Sequence, residues 1–177
     1  MTSHAKNVSR SPARSYFDRE RLRRSYRPVR VRVLFVGEAP PASGRFFYRA
    51  NSGLYRAIRA AFVTAFPHNY DEDFLRRFQS LGCYLVDLCA RPVDRLQEKV
   101  RRSVCVAGET RLTKRLKQLH PEIVVVLLRS IAANVSRAAA KAKWSGIQVE
   151  SSYPGRWYRN RLAFEDQLVP LLRANFQ

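Results

Sequence analysis

A chain of 177 residues with 46% hydrophobic composition has enough apolar material for one core and too little length for two domains. Its 33 lysines and arginines outnumber 14 acidic residues, and the formal charge of +19 predicts salt-sensitive attraction to DNA or RNA. No apolar run approaches the ~20 residues of a membrane span, and the first residues lack the apolar segment of a secretory signal. We expect no membrane association and a cytoplasmic, nucleoid-associated location. A basic proteome or a ribosome-associated protein is the alternative explanation of the charge.

The first 29 residues are basic and rich in Ser, Asn and Pro, with Asp18 and Glu20 as their acidic residues. Such a segment cannot bury enough apolar surface to order itself alone. We therefore predict a flexible tail over residues 1–29 and a folded domain over residues 30–177. Within the tail, Ser15–Tyr26 is alternatively one or more basic helical turns that bind DNA. A transit peptide is a third alternative, against which the two acidic residues argue.

A hydrophobic run at Val31–Val36 leads directly into a polar turn. The run is nearly continuous and rich in valine, which predicts a strand that is buried on both faces. Gly37 ends the strand, and Pro40-Pro41 forbids a helix just beyond it. Glu38 thus lies at the carboxyl end of a strand, where open α/β sheets bind ligands, and is the first candidate for chemistry. The alternative is that its carboxylate binds backbone amides of its own turn.

The rest of the chain alternates between helical and strand-like patterns. This alternation predicts an α/β fold, specifically a three-layer α/β/α sandwich with a central four-stranded, mainly parallel sheet. Arg91–Arg102 has a mixed pattern. The predicted helices are Ser52–Phe66 with Asn51 or Ser52 as its cap, Asp71–Leu81, Gly108–Leu119, Ser130–Lys143 and Leu162–Phe176, and the further strands are Cys83–Leu88, Ile123–Leu128 and Ile147–Glu150.

Three short motifs after the first strand carry a resemblance to a known family. They are Gly37-Glu38-Ala39-Pro40, the aromatic run Phe46-Phe47-Tyr48, and Asn51-Ser52-Gly53-Leu54-Tyr55. Together they resemble the first signature of the uracil-DNA glycosylase superfamily, in particular its thermophile-type branch with Gly-Glu-Ala-Pro, and the third is also similar to the mismatch-specific branch. The resemblance spans residue 31 to the C-terminus. It implies a hydrolase that cleaves the N-glycosidic bond of uracil or another deaminated base in DNA.

Base excision requires a carboxylate or amide near the sugar and an aromatic surface for the flipped base. The resemblance gives the first role to Glu38 and the second to Phe47, with Phe46 close behind. For each aromatic residue the alternative is burial in the core. The resemblance also assigns substrate contacts to Gly37, Ala39, Tyr48 as a pocket wall, and Asn51.

Asp87 follows the second predicted strand, where the superfamily usually has an Asn that reads the base edge. An ionised Asp only accepts hydrogen bonds, so it can accept from N3–H of uracil but cannot donate to O4. It better suits a base edge rich in donors, or an Asp whose pKa is raised by burial. The alternative is that Asp87 pairs with Arg91 or caps a turn.

The segment after the fourth strand corresponds to the superfamily loop that carries a His and a DNA-penetrating wedge. Tyr153 stands in the His position, and its neutral phenol can still donate one hydrogen bond to uracil O2. Trp157 lies at the offset of the wedge, and burial against the last helix is its alternative. The resemblance assigns DNA contacts to Ser152, Pro154, Gly155, Arg156, Trp157 and Arg159.

The cysteines are Cys83, Cys89 and Cys105, an odd number without a Cys-x-x-Cys spacing, which indicates neither a disulfide framework nor a zinc site. Relatives with Gly-Glu-Ala-Pro commonly hold an iron-sulfur cluster with four cysteines, two of them before the first strand. Residues 1–30 contain no cysteine, so we expect no cluster and no other cofactor.

The leading hypothesis is thus a monofunctional DNA glycosylase that acts as a monomer on double- or single-stranded DNA. A second hypothesis keeps the fold without the activity, as a catalytically weak or inactive module that binds flipped, abasic or single-stranded sites. The third is an arginine-rich component of a ribonucleoprotein or a phage-related nucleoid protein.

Overall fold

The computed structural model describes residues 12–67, 73–154 and 158–176. They form a three-layer α/β/α sandwich around a four-stranded parallel sheet, so the predicted fold class is confirmed. The elements in chain order are α1 (Pro12–Ser25), β1 (Val33–Gly37), α2 (Gly53–Ala65), α3 (Phe74–Ser80), β2 (Cys83–Asp87), α4 (Glu98–Leu119), β3 (Ile123–Val126), α5 (Ala132–Ala142), β4 (Ile147–Glu150) and α6 (Tyr158–Asn175), with 3-10 turns at Phe47–Arg49 and Arg129–Ile131.

The strand order in the sheet is β2-β1-β3-β4. All residues of β1, β2 and β3 are buried, as the continuous apolar runs predict. The helix pair α2 and α6 and the pair α4 and α5 each pack together and cover the sheet. The chain leaves β1 toward β2 and leaves β3 toward β4, in opposite directions. The carboxyl ends of β1 and β3 therefore flank a topological switch point, where α/β sheets form their ligand crevice.

Helix α2 begins where its sequence predicts. The side-chain oxygen of Ser52 accepts a hydrogen bond from the backbone N–H of Tyr55 at 3.1 Å, which satisfies one of the free donors of the first turn. Helix α3 is likewise capped by Asp73, which accepts from the backbone N–H of Arg76.

Helix α4 is the largest departure from the predicted elements, because it begins at Glu98 rather than at Gly108. Glycine disfavours a helix interior, so the pattern placed the helix start there. The structure gives a packing reason for Gly108 instead. A Cβ at this position would lie 2.6 Å from the backbone oxygen of Leu88, so only glycine lets α4 lie this close to the segment after β2.

Part of the segment predicted as a tail is the helix α1. Its residue Arg23 is 2% exposed, and Tyr26 just beyond the helix stacks on Tyr48 with ring centroids 5.5 Å apart. A charged segment can be ordered in this way when a distant part of the chain supplies the partners, which no local pattern reveals. The prediction for residues 1–11 lies outside the described residues.

Tyr48, predicted as a pocket wall, is not among the described residues that line the cavity of the site, and it has a role in the fold. Its side chain is 2% exposed, and its hydroxyl accepts from the backbone N–H of Leu85 at 2.7 Å and donates to the carbonyl of Leu85 at 3.1 Å. Strand β2 is at the edge of the sheet, so Tyr48 satisfies backbone groups that no neighbouring strand pairs. None of the described helices is long and apolar enough to cross a membrane.

Candidate functional site

A cavity of about 470 Å³ opens at the carboxyl ends of the strands. The turn after β1 forms one side of it, β2 and the segment after β3 contribute to its floor, and the loop after β4 reaches its mouth. Seven of the residues predicted for the site line it, namely Gly37, Glu38, Ala39, Phe46, Phe47, Asp87 and Tyr153.

Glu38 makes an ion pair that the sequence did not predict. Nε of Arg101 donates to Oε1 at 2.6 Å, and Nη2 donates to Oε2 at 2.5 Å, so one guanidinium holds both carboxylate oxygens. The side chain of Glu38 is 14% exposed. Its carboxylate thus has a partner on α4 instead of its own turn, and a fixed orientation at the cavity wall.

Arg101 lines the same cavity as Glu38. The Sγ of Cys105, one helical turn further on, lies 3.7 Å from Oε1 of Glu38. Arg101, Cys105 and Gly108 follow the i, i+4, i+7 spacing of one helix face, and this face points to the strand ends. That spacing is the only sequence signal that could have indicated Arg101.

Phe46 and Phe47 are each 3% exposed and line the cavity. They are therefore both core residues and wall residues, so the two alternatives for these aromatic side chains are not exclusive. Asn51 has a different place. Its Oδ1 accepts from the backbone N–H of Phe46 at 2.8 Å, and it does not line the cavity among the described residues. Asn51 holds the aromatic loop in position instead of contacting a ligand in the cavity.

Asp87 is 7% exposed and lies beside Gly37, its register partner on β1. A Cβ on Gly37 would stand 3.2 Å from Oδ1 of Asp87, so the glycine leaves room for this oxygen at the cavity floor. Its other oxygen, Oδ2, accepts a hydrogen bond from Nη2 of Arg23. The partner is thus neither Arg91 nor a turn, but an arginine 64 residues earlier in the chain.

Further arginines surround Asp87. Arg111 and Arg115 donate to its backbone oxygen at 2.8 and 3.2 Å, and Arg115 also pairs with Glu20 of α1. Burial raises the pKa of Asp87, while the positive charges of Arg23, Arg115 and Arg111 act in the opposite direction. Nothing in the local sequence pattern pointed to this cluster of charges.

Tyr153 is 47% exposed at the mouth of the cavity. Partial burial and the negative charge of Glu38 raise the pKa of its phenol, so the hydroxyl stays protonated and available as a donor at neutral pH. Of the neighbouring residues, Ser152 donates its N–H to Oε1 of Gln167 at 2.7 Å, and Pro154 is buried. The loop is thus anchored on α6.

The basic part of this loop is only partly described. Arg159 is exposed in the first turn of α6. Gly155, Arg156 and Trp157, predicted to contact DNA, lie outside the described residues.

The cysteines do not fit an iron-sulfur cluster. Such a cluster needs four cysteine thiolates, and the chain has three cysteines. Cys89 and Cys105 have their sulfur atoms 3.7 Å apart near Glu38, whereas Cys83 begins β2 at the opposite end of the strand. Among the described residues, no group of three or more His, Cys, Asp or Glu side chains is arranged to hold a metal ion.

A family model described as the Uracil DNA glycosylase superfamily matches residues 24–173. Because the match covers most of the chain, the protein belongs to the uracil-DNA glycosylase superfamily, and the predicted superfamily is confirmed. Members of this superfamily are DNA glycosylases, which are hydrolases that act on DNA. No curated protein matches the chain.

Proposed function

We propose that this protein hydrolyses the N-glycosidic bond of uracil or another deaminated base in DNA. The observation that supports this most is that Glu38, Phe47, Asp87 and Tyr153 line one cavity at the switch point of the sheet. A base flipped out of DNA needs an acidic group near its sugar, an apolar wall and a polar partner for its edge. These side chains supply each of them.

In this proposal Glu38 is the catalytic residue. Cleavage of the N-glycosidic bond leaves positive charge on the sugar, and a carboxylate beside it stabilises that charge and orients the attacking water. The two hydrogen bonds from Arg101 hold the carboxylate in one orientation before the substrate arrives. Arg101 is a positioning residue, because it acts through Glu38.

Tyr153 stabilises the departing base. The bonding electrons of the broken C–N bond move onto the base, and a phenol at the cavity mouth can donate a hydrogen bond to the anion that forms. A neutral phenol stabilises this anion less than a cationic imidazole would. We therefore propose a slow enzyme rather than a fast one.

Several finer assignments belong to the same proposal. The Gly-Glu-Ala-Pro turn favours the thermophile-type branch, in a divergent form without the iron-sulfur cysteines and with no cofactor of its own. The partner is double- or single-stranded DNA, and the proposed DNA-binding residues are Ser152, Pro154, Gly155, Arg156, Trp157 and Arg159. We further propose that the protein acts as a monomer in the cytoplasm, associated with the nucleoid.

One observation favours the alternative of a DNA-binding module without activity. Both oxygens of Glu38 are engaged by Arg101, and an engaged carboxylate interacts more weakly with a water or a sugar cation. In that case the cavity would receive a flipped base or an abasic sugar without cleavage.

The two candidates differ in base release. Single-turnover reactions on matched single- and double-stranded oligonucleotides with uracil, hypoxanthine or xanthine would detect free base by mass spectrometry. Affinity for the same oligonucleotides and for an abasic one would be measured by fluorescence anisotropy. We expect release of at least one base, with a strand that breaks only after alkali. Tight binding to the abasic strand without any release would favour the binding module.

A further inference from the structure

Helix α1 places a buried arginine behind two residues of the cavity wall, Phe46 and Asp87. Arg23 is 2% exposed, and its guanidinium carbon lies 5.3 Å from the ring centroid of Phe46, which lines the cavity. Its Nη1 donates to Glu20 of the same helix, and its Nη2 donates to Oδ2 of Asp87. The arginine therefore fixes the carboxylate that the cavity presents to a ligand.

The contacts on the two oxygens of Asp87 define its orientation. Oδ2 is turned to Arg23, and Oδ1 lies against Gly37 at the cavity floor. A carboxylate whose one oxygen is held by a guanidinium can only accept a hydrogen bond with the other. The floor of the cavity thus presents one hydrogen-bond acceptor of fixed position and no donor from Asp87.

Stability alone does not explain this arrangement. Nε of Arg23 is buried and has no hydrogen-bond partner among the residues that the structure describes, and the same holds for Nη1 of Arg111. Buried donors without a partner destabilise a fold, and buried ion pairs are often no better than apolar packing. An incompletely satisfied arginine beside a cavity is better explained by an effect on what the cavity binds.

We propose that Arg23 is a specificity-determining positioning residue, which makes Asp87 select bases through a ring N–H donor while the neighbouring carbonyl is not read. The inference rests on the proposed glycosylase function and names the substrate class of the same cavity. Uracil, hypoxanthine and xanthine share this ring N–H with thymine and guanine. Cytosine and adenine have a lone pair at that ring nitrogen, which would face the lone pair of the acceptor.

Two uracil analogues test this class without any change to the protein. N3-methyluracil lacks the ring N–H, and 4-thiouracil keeps it but replaces the neighbouring carbonyl oxygen by a poor acceptor. In single-turnover reactions on one oligonucleotide sequence, we expect the methylated base to be released at least about 100-fold more slowly than uracil, a loss on the order of one good base contact. We expect the rate of 4-thiouracil release to stay within about 5-fold of the rate for uracil, because O4 of uracil makes no contact with the protein in this proposal.

Variants of Arg23 and Asp87 separate a positioning role from a structural one. In the Asp87→Asn variant, the guanidinium of Arg23 can only donate hydrogen bonds, so the oxygen of the new amide faces Arg23. The N–H groups of the amide then face the cavity. Uracil release should then fall at least about 10-fold, because two donors face each other. Adding Arg23→Met frees the amide to rotate and should restore part of the lost rate. In the native Asp87 background the same Arg23→Met should instead lower the rate and weaken the preference for uracil over N3-methyluracil.

Glu98→Gln is the control, because it removes the exposed charge partner of Arg102 and leaves the charge partners of Arg23 and Asp87 in place. It should leave the preference between the two bases unchanged, and thermal unfolding of every variant checks that the fold is intact. Equal release of uracil and N3-methyluracil by the native protein, or an Arg23→Met effect of the same sign in both backgrounds, would overturn this inference and leave the glycosylase proposal standing. Absence of release from every substrate would overturn both.

Discussion

Glu38 is positioned by a partner that lies 63 residues further along the chain. The motif around it is local, and its place at the carboxyl end of a strand could be predicted from a hydrophobic run followed by Gly and Pro. The bidentate contact of Arg101 could not, because it depends on how α4 crosses the strand ends. The same limit applies to Asp87, whose partner Arg23 lies in a segment that local composition describes as a tail.

Changing Arg101 should lower turnover through the orientation of Glu38. A lysine offers a single ammonium in place of the planar pair of donors, so Arg101→Lys should reduce the single-turnover rate by about 10-fold. Arg101→Met, which offers no donor, should reduce it by about 100-fold. The measurement is the rate of base release with enzyme in excess, together with affinity for the same oligonucleotide.

The control for Arg101 is its neighbour Arg102. Arg102 also forms an ion pair with a glutamate, Glu98, but both side chains are more than half exposed. Arg102→Lys should therefore leave the rate within about 2-fold of the native one. Equal losses for the two lysine variants would contradict a specific role of Arg101.

At the scale of elements, a buried carboxylate joins α4 to α5. Glu109 on α4 is 1% exposed and accepts hydrogen bonds from Asn134, Arg137 and Lys141 of α5 at 2.9, 2.9 and 3.0 Å. Glu109→Ala leaves the buried amide of Asn134 without its partner, while the two cations can turn to water. We expect the free energy of unfolding to fall by about 2 kcal/mol in denaturant titrations.

Exposed Glu98 is again the reference for this element. Glu98→Ala should lower the free energy of unfolding by no more than about 0.5 kcal/mol, since its ion pair is in water.

Burial alone would raise the pKa of Glu109, but the hydrogen bonds from α5 outweigh it and lower the pKa below the ordinary value of 4.5. The stabilisation is therefore present above pH 4.5 and is lost as the pH falls below it. The difference between native protein and Glu109→Ala should shrink in acid, and a difference independent of pH would contradict this explanation.

The element boundaries show which structural features could be predicted from sequence patterns and which could not. The strands and the Ser52 cap depend on neighbouring residues, and the patterns predicted them to within a few positions. The start of α4 was misplaced because Gly108 serves contact with Leu88 and not the end of an element. The sequence did not decide between a flexible tail and the helix α1, because a charged helix is stabilised by buried partners from other parts of the chain.

At the scale of the whole molecule, the formal charge of +19 is the feature most relevant to a DNA partner. Exposed arginines include Arg45, which lines the cavity, Arg91 and Arg95, which flank the lining residues Val93 and Asp94 in the chain, and Arg159 on α6. We expect about four phosphate contacts, each contributing about −0.9 to the slope of log affinity against log salt on duplex DNA. Affinity should then fall roughly 150-fold between 50 and 200 mM salt. Anisotropy titrations over this range measure the slope, and a slope near zero would contradict an electrostatic mode of binding.

The central claim is that the carboxylate of Glu38 performs the chemistry in a cavity that binds a flipped base. Glu38→Gln keeps the shape of the side chain and removes its charge, and Glu98→Gln is the matched change on the exposed face of α4. The decisive measurement is single-turnover release of uracil by the native protein and both variants, with DNA affinity measured in parallel. We predict that Glu38→Gln lowers the rate by about 10² to 10⁴-fold with affinity within about 3-fold, while Glu98→Gln changes neither. Release by Glu38→Gln at nearly the native rate would contradict the account.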